Sequence, residues 1–403
     1  GLDFSTPAID RMAQEGMRFS RAYTSPVCTP SRVSLHTGQY TFDHGEDDVL
    51  PVHLGTKETF EFSERPSFAQ LLREDGYVTS VTGKWQLATL YEHPDHPYRS
   101  GFDSWCLWQI WDGEKRQKRK RYYEPWLNRD GYVMNGEELE LDLRLPAGEV
   151  LPAGTLLPDA MGEFGPDVLH RYVKERMQSA VSEEKPFFIL HNMVLPHRPL
   201  VAPPGGEETL ASMIEYLDGH VGDLLDEIER LGIREETYVF FIGDNGTQSR
   251  EERLTRDGPV KGGKWSLTDG GTHVPFIVWG PESVAKGFVC DDLVDITDVF
   301  PTVCELAQVE VPEDIQLRGY SLVPEIQGEP SAGRRTWVHG GIAGAQALFD
   351  GEWRLVYNDG AYRLVDCREL PVEVVCKEPY SQEEAAAMHR LRGIFEELNA
   401  VGK

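Results

Sequence analysis

The chain has 403 residues, 40% of them hydrophobic, which is enough for a large core and two or three domain-sized units. Acidic residues number 67 against 40 basic ones, a formal charge of -27. Such a surface repels nucleic acid and anionic membranes, and no apolar run reaches transmembrane length or reads as a signal peptide.

The predicted elements alternate. Residues 6–16 read as a helix with Pro7 at its start and Ile9, Met12 and Ala13 inward. A second helix is expected over 30–37, after a turn holding Cys28, and a third over 66–77, closed by Gly76. Residues 77–85 (YVTSVTGKW) then read as a buried strand opening into a loop. The stretch 86–165 is irregular and aromatic, with a basic run, KRQKRKR, at 115–121. Helix 167–181, strand 186–199 with a polar loop at its end, and amphipathic helix 213–232 follow. Strands are expected at 237–247 and 274–281. Beyond about residue 310 the texture changes to a hairpin about Asn358-Asp359-Gly360 and a terminal helix over 381–401.

Strands alternating with helices predict a mostly parallel central sheet flanked by helices, followed by a smaller C-terminal α+β subdomain. The expected boundaries are 1–310 and 311–403. Ligands gather at the carboxyl ends of strands in such sheets. Lys84, His197, Asp244 and Asn245 each follow an apolar run. The six cysteines are scattered without metal-ligand spacing; Cys367 and Cys376 are near enough in sequence for a local bridge in an oxidising compartment.

Three segments carry chemistry. Cys28-Thr-Pro-Ser-Arg32 places a thiol in a turn-forming frame at fixed offsets from Pro30 and Arg32. FFIGDNGT (240–247) ends an apolar strand in a carboxylate and an amide oxygen, the ligand types that calcium and magnesium prefer, and equally the residues of an ordinary turn. LPHRP (195–199) sets His197 between prolines, as a loop residue or as a proton donor.

These segments resemble the type I, formylglycine-dependent sulfatases of the alkaline phosphatase superfamily. That family's signature is Cys or Ser, any residue, Pro, any residue, Arg, with Thr-Gly soon after, as in CTPSRVSLHTG here. The resemblance implies that Cys28 is oxidised to formylglycine by a formylglycine-generating enzyme. One hydroxyl of the hydrated aldehyde attacks sulfur; the other later expels sulfate as the aldehyde reforms. Arg32 would hold charge beside it. GKWQL (83–87) is similar to the family's Gly-Lys-Trp-His-Leu, so Lys84 would bind sulfate, while Gln86 stands where a histidine is usual and cannot take a proton at neutral pH. His197 would contact the sulfate or protonate the leaving oxygen.

Asp244, Asn245 and the modified Cys28 would hold a divalent cation, calcium or else magnesium. KGGKWSLTDGGTHVPF (261–276) carries Lys264 at the sulfate-binding lysine, with Lys261 competing and His273 where arginine is usual. The resemblance also implies two further metal-binding aspartates on a strand that precedes the segment STPAIDRMAQEGMRF.

The expected activity is hydrolysis of a sulfate ester on a small molecule or glycan, with a periplasmic or secreted location by resemblance alone. Two alternatives stand beside it: a phosphoester or phosphonate monoester hydrolase of the same superfamily, and a non-catalytic protein that binds sulfated glycans. Trp105, Trp108, Trp111 and Trp126 offer ring-stacking or packing, and the 115–121 run offers attraction for a polyanion or a solvated loop.

Overall fold

The structure is a computed structural model that describes residues 4–111, 113–114, 122–160, 162–248, 251–255, 258–329 and 335–401. The basic run 115–121 lies outside the described residues. Helix α1 (Pro7–Glu15) starts on Pro7, and Asp218 accepts the backbone N–H groups of Ala8 and Ile9 at 3.0 and 2.8 Å. That carboxylate satisfies orphan donors and opposes the positive end of the helix. Strand β1 (Met17–Tyr23) follows, then α2 (Cys28–Thr37) and α3 (Phe68–Glu74), whose Ser67 and Gln70 form a capping box.

Beside two small hairpins, 143–144 with 150–151 and 252–255 with 258–261, the other main strands of the α/β body are β2 (Val78–Gly83), β3 (Ser104–Trp108), β4 (Leu127–Arg129), β5 (Tyr132–Val133), β6 (Phe187–Asn192), β7 (Val239–Ile242), β8 (His273–Trp279) and β9 (Phe288–Asp295). They form two sheets, ordered β5-β4-β3-β2-β6 and β9-β1-β8-β7. Pairs β2–β3, β2–β6 and β1–β9 are parallel; β8 runs antiparallel to both β1 and β7. The central sheet region is therefore mixed: β8 is reversed in one sheet, and in the other β4 runs antiparallel to both β3 and β5.

Side chains alternate across these strands. Phe188, Leu190, Phe240 and Ile242 feed one core; Phe187, Ile189, Val239 and Phe241 feed the other. Helices α4 (Gly165–Ser182) and α5 (Leu210–Leu231) cover the second core, and α2, α3 and α6 (Val299–Leu306) the first. Helix α5 is capped by Thr209 and stopped by Gly232 in the left-handed conformation.

A separate antiparallel sheet runs β10 (Val338–Ile342), β11 (Ala345–Phe349), β12 (Trp353–Asn358), β13 (Ala361–Asp366) and β14 (Val374–Val375) in order, with α7 (Gln382–Val401) packed on it through Ala387, Leu391 and Phe395. This sheet supports the region around Cys28: Val27 and Leu267 pack with Ile342, Ala347 and Val356.

Two expectations need correction. Met17–Tyr23, read only as the end of a leading segment, is a strand with neighbours on both sides. Cys28 does not lie in a turn before a helix; it is the first residue of α2. Pro30 is tolerated there because the first helical turn needs no N–H from it. Cys367 and Cys376 are both free thiols, as are the other four cysteines. No helix among the described residues is long and apolar enough to cross a membrane.

Candidate active site

The site is built where apolar strands stop. Lys84 is the first residue after β2, and its N–H donates to Asn192 O at the end of β6, 3.0 Å away. Gly83 makes that approach possible: its φ is +94°, and a Cβ there would stand 1.9 Å from Asn192 O. Asp244 lies two residues past β7. The following turn is joined to the 261–272 loop, with Gly246 N donating to Gly271 O and Lys264 N to Thr247 O, each 2.9 Å. Trp265 N donates to Pro26 O at 3.1 Å, which ties the same loop to the segment before Cys28.

These bonds gather Cys28, Lys84, Lys264, Asp244 and Arg32 into one charged cluster. Cys28 is buried. Burial opposes its ionisation, but Lys84 and Lys264 outweigh burial and the thiol is lowered, with Lys84 also hydrogen-bonded to it. Lys84 is itself lowered, first by burial, although Cys28 and Asp244 pull the other way. Asp244 is held well below the usual carboxylate range: burial works against this, and Arg32, Lys84 and Lys264 overcome it. Cys28 also sits at the start of a helix, where the backbone dipole favours negative charge.

Arg32 is anchored by two bonds. It donates Nη2 to Asp244 at 2.9 Å and Nη1 to Lys84 O at 3.0 Å, so it fixes the metal-type carboxylate and the Lys84 backbone. Gln86 is nearly buried and carries φ +64°. Its Nε2 donates to Leu50 O at 2.8 Å, which leaves Oε1 as the remaining polar end. Thr29 fixes this segment by donating to Gln86 O at 3.1 Å while accepting from Leu50 N at 3.1 Å.

His197 lines a cleft with Lys84, Gln86, Trp108, Gln109 and Trp111. Its Nδ1 is 2.7 Å from Arg198 O, and its ring stands edge-on to Trp108 at 6.5 Å. A carbonyl partner accepts, so Nδ1 carries a proton and Nε2 is the other reactive end.

Asn245 donates Nδ2 to Gly246 O at 2.9 Å, while its Oδ1 is buried with no hydrogen-bond partner among the described residues. A buried acceptor left open is costly unless something fills it. Asp244 beside it keeps 36% of its side chain open. Both are hard oxygen donors of the kind a calcium or magnesium ion takes. Among the described residues, no group of three or more His, Cys, Asp or Glu side chains could hold a metal, so Asp244 and Asn245 stand without a third such ligand.

The rest sort cleanly. Lys264 is buried and acts on the Cys28 thiol, whereas Lys261 is exposed on a hairpin strand. His273 bonds Asp269 and Ser20 O instead of the site. His191 is buried on the α4 side of the sheet, with neither ring nitrogen hydrogen-bonded. Trp105 is fully buried and donates to Asn128, a packing role. Sequence reasoning missed Thr29, Gln109 and Trp265. Only Trp265 carried a signal, as a large aromatic beside the chosen lysine.

Known proteins of similar sequence and shape show the family and the fold. Residues 2–309 match the Sulfatase family. The N-acetylgalactosamine-6-sulfatase of Canis lupus familiaris is 30% identical over 346 residues, covering 80% of this chain and 61% of that protein. The chain thus spans about three fifths of that relative's length. A Bacteroides thetaiotaomicron protein of multiple-glycosaminoglycan metabolism superposes with a TM-score of 0.76 at 21% identity, over 98% of this chain and 94% of that one. A phosphonate monoester hydrolase from Silicibacter pomeroyi gives 0.65 at 17% identity, over 99% and 91%. The α/β body with its separate antiparallel sheet is the fold these structures share.

Proposed function

The chain belongs to the sulfatase family, and from that premise we propose that it hydrolyses a sulfate ester on a carbohydrate, using a formylglycine made from Cys28 and a divalent cation. The observation that carries this reading is the cluster itself. A chain with a net charge of -27 buries Arg32, Lys84 and Lys264 around one thiol at a helix start. An anion is what such a pocket is suited to hold. The carbohydrate part rests on the relatives named above, one of which acts on N-acetylgalactosamine 6-sulfate by its name.

The hydrated aldehyde, when formed, supplies a hydroxyl nucleophile for sulfur. Asp244, Asn245 and position 28 would hold the cation, calcium or else magnesium, which would supply positive charge to the sulfate. The chain's own residues do the rest. Lys84 and Lys264 neutralise sulfate oxygens as charge moves toward the leaving group. Arg32 keeps Asp244 ionised and aimed. His197, anchored through Nδ1, delivers a proton from Nε2 to the leaving alcohol. Gln86 accepts a hydrogen bond through Oε1 and orients the nucleophile, but it takes no proton.

The test is turnover of matched sulfate, phosphate and phosphonate esters by protein coexpressed with a formylglycine-generating enzyme, with calcium or magnesium present. We expect sulfate release to have the highest kcat/KM. Faster phosphonate cleavage would favour the hydrolase rival, and glycan binding without any turnover would favour a binding protein.

A further inference from the structure

Trp265 stands beside the site, and the proposed chemistry does not use it. Its neighbour Lys264 is 8% exposed, yet Trp265 is 53% exposed. Its φ is +76°, in the left-handed region where a bulky residue is a genuine outlier. Backbone strain of this kind persists only where surrounding structure holds it, and it gathers at functional sites. Here the holding bonds are explicit: Lys264 N to Thr247 O, Trp265 N to Pro26 O and Ser266 N to Gly263 O, at 2.9, 3.1 and 2.8 Å. The bonds that aim Lys264 at Cys28 therefore also set the Trp265 backbone. No ring contact involves Trp265 among the described residues.

Trp265 thus sets an exposed indole one residue from Lys264, on backbone bonded to Pro26, two residues before Cys28, and offers a flat apolar face next to the cation cluster. Sugar rings present an apolar C–H face of the same size, and an indole binds large flat partners at little entropic cost. Such stacking is insensitive to the repulsion that a chain of net charge -27 exerts on a polyanion. The cleft beside Lys84 and His197 is lined also by Gln86, Trp108, Gln109 and Trp111 and not by Trp265, so a group stacked on Trp265 lies outside it. A longer chain must leave that cleft at the rim.

We propose that Trp265 forms a second carbohydrate subsite, stacking on the sugar next to the one that bears the scissile sulfate, so that the enzyme acts on sulfated oligosaccharides in preference to sulfated monosaccharides. This rests on the sulfatase reading, and the test separates the two. Trp265→Asn removes the ring but keeps a residue that tolerates left-handed backbone, and Trp265→Phe keeps a smaller ring.

The probes are mono-, di- and tetrasaccharides of 6-sulfated chondroitin, heparan and carrageenan type. Wild-type kcat/KM should rise from mono- to disaccharide for at least one series. Trp265→Asn should raise KM for the longer substrates about tenfold, with kcat within about twofold and monosaccharide constants unmoved. Trp265→Phe should recover part of the loss. Equal losses on mono- and oligosaccharides, or no loss, would overturn the subsite. If wild type releases no sulfate at all, the hydrolase reading fails, and titration calorimetry with the same oligosaccharides decides the subsite alone. Tighter binding by wild type than by Trp265→Asn supports it; equal or absent binding overturns it.

Discussion

Two clusters of buried charge in this molecule behave in opposite ways. Around Cys28, the cations Arg32, Lys84 and Lys264 meet one carboxylate, Asp244. Where the C-terminal sheet meets the α/β body, buried Arg354 on β12 pairs with Glu373 and lies 3.9 Å from Asp269. Asp269 in turn accepts from Tyr23 and His273 at 3.4 and 3.3 Å. A second balanced pair, Arg335 with Asp298, lies nearby in sequence, and its arginine also donates to Tyr40. Matched buried charge fixes how parts dock; breaking one side is severe. Unmatched buried charge stores an appetite for a ligand, and folding stability is lower for it.

The comparison can be broken at its largest difference first. Cys28→Ala removes the proposed nucleophile and should reduce sulfate release at least about a thousandfold, with the folded state intact by circular dichroism. Arg354→Met leaves buried Asp269 and half-buried Glu373 without their cation. It should cost about 3–5 kcal/mol of stability in urea unfolding, an effect that would shrink if the pair were surface-like. Lys84→Met should do the reverse: kcat/KM falls about 100- to 1000-fold, while the thermal midpoint holds or rises because an unmatched buried charge has gone. A large drop in midpoint with Lys84→Met would erase the distinction between the clusters.

The smallest effect concerns pH. Burial pushes His36, His44, His191 and His339 down to about 3. Their folded-state values lie below the unfolded value near 6.5, so the unfolded chain binds protons first as pH falls. Each should subtract about 1.4 kcal/mol of stability per pH unit between roughly pH 6 and pH 4. Denaturant unfolding of His191→Leu and wild type at pH 7 and pH 5 reads one such share, since a leucine side chain carries no titrating proton. The slope should be shallower in the variant.

Much of the site was legible because its polar residues interrupt apolar strands. Lys84, Asp244 and Asn245 break runs that otherwise read as buried β structure, and periodicity alone exposes them. Strand β1 was not legible for the opposite reason. MRFSRAY carries Arg18 and Arg21, and a register shift between Phe19 and Ala22 spoils its alternation. Its burial comes from two neighbouring strands supplied by residues some 250 positions away, which no local window reports. The spacing marks Arg32 as a cation near the thiol but not its bond to Asp244, because spacing along a helix does not reveal which distant strand end a guanidinium meets. Trp265 reads as one more loop aromatic; its exposure and left-handed backbone exist only in the folded chain.

The central claim is that the unmatched cations surround a side chain destined to become an aldehyde. Peptide mass spectrometry across Cys28, on protein made with a formylglycine-generating enzyme, tests it most directly. The account predicts conversion of Cys28 to the aldehyde. An unmodified thiol, in cells that convert a known sulfatase in parallel, would contradict it.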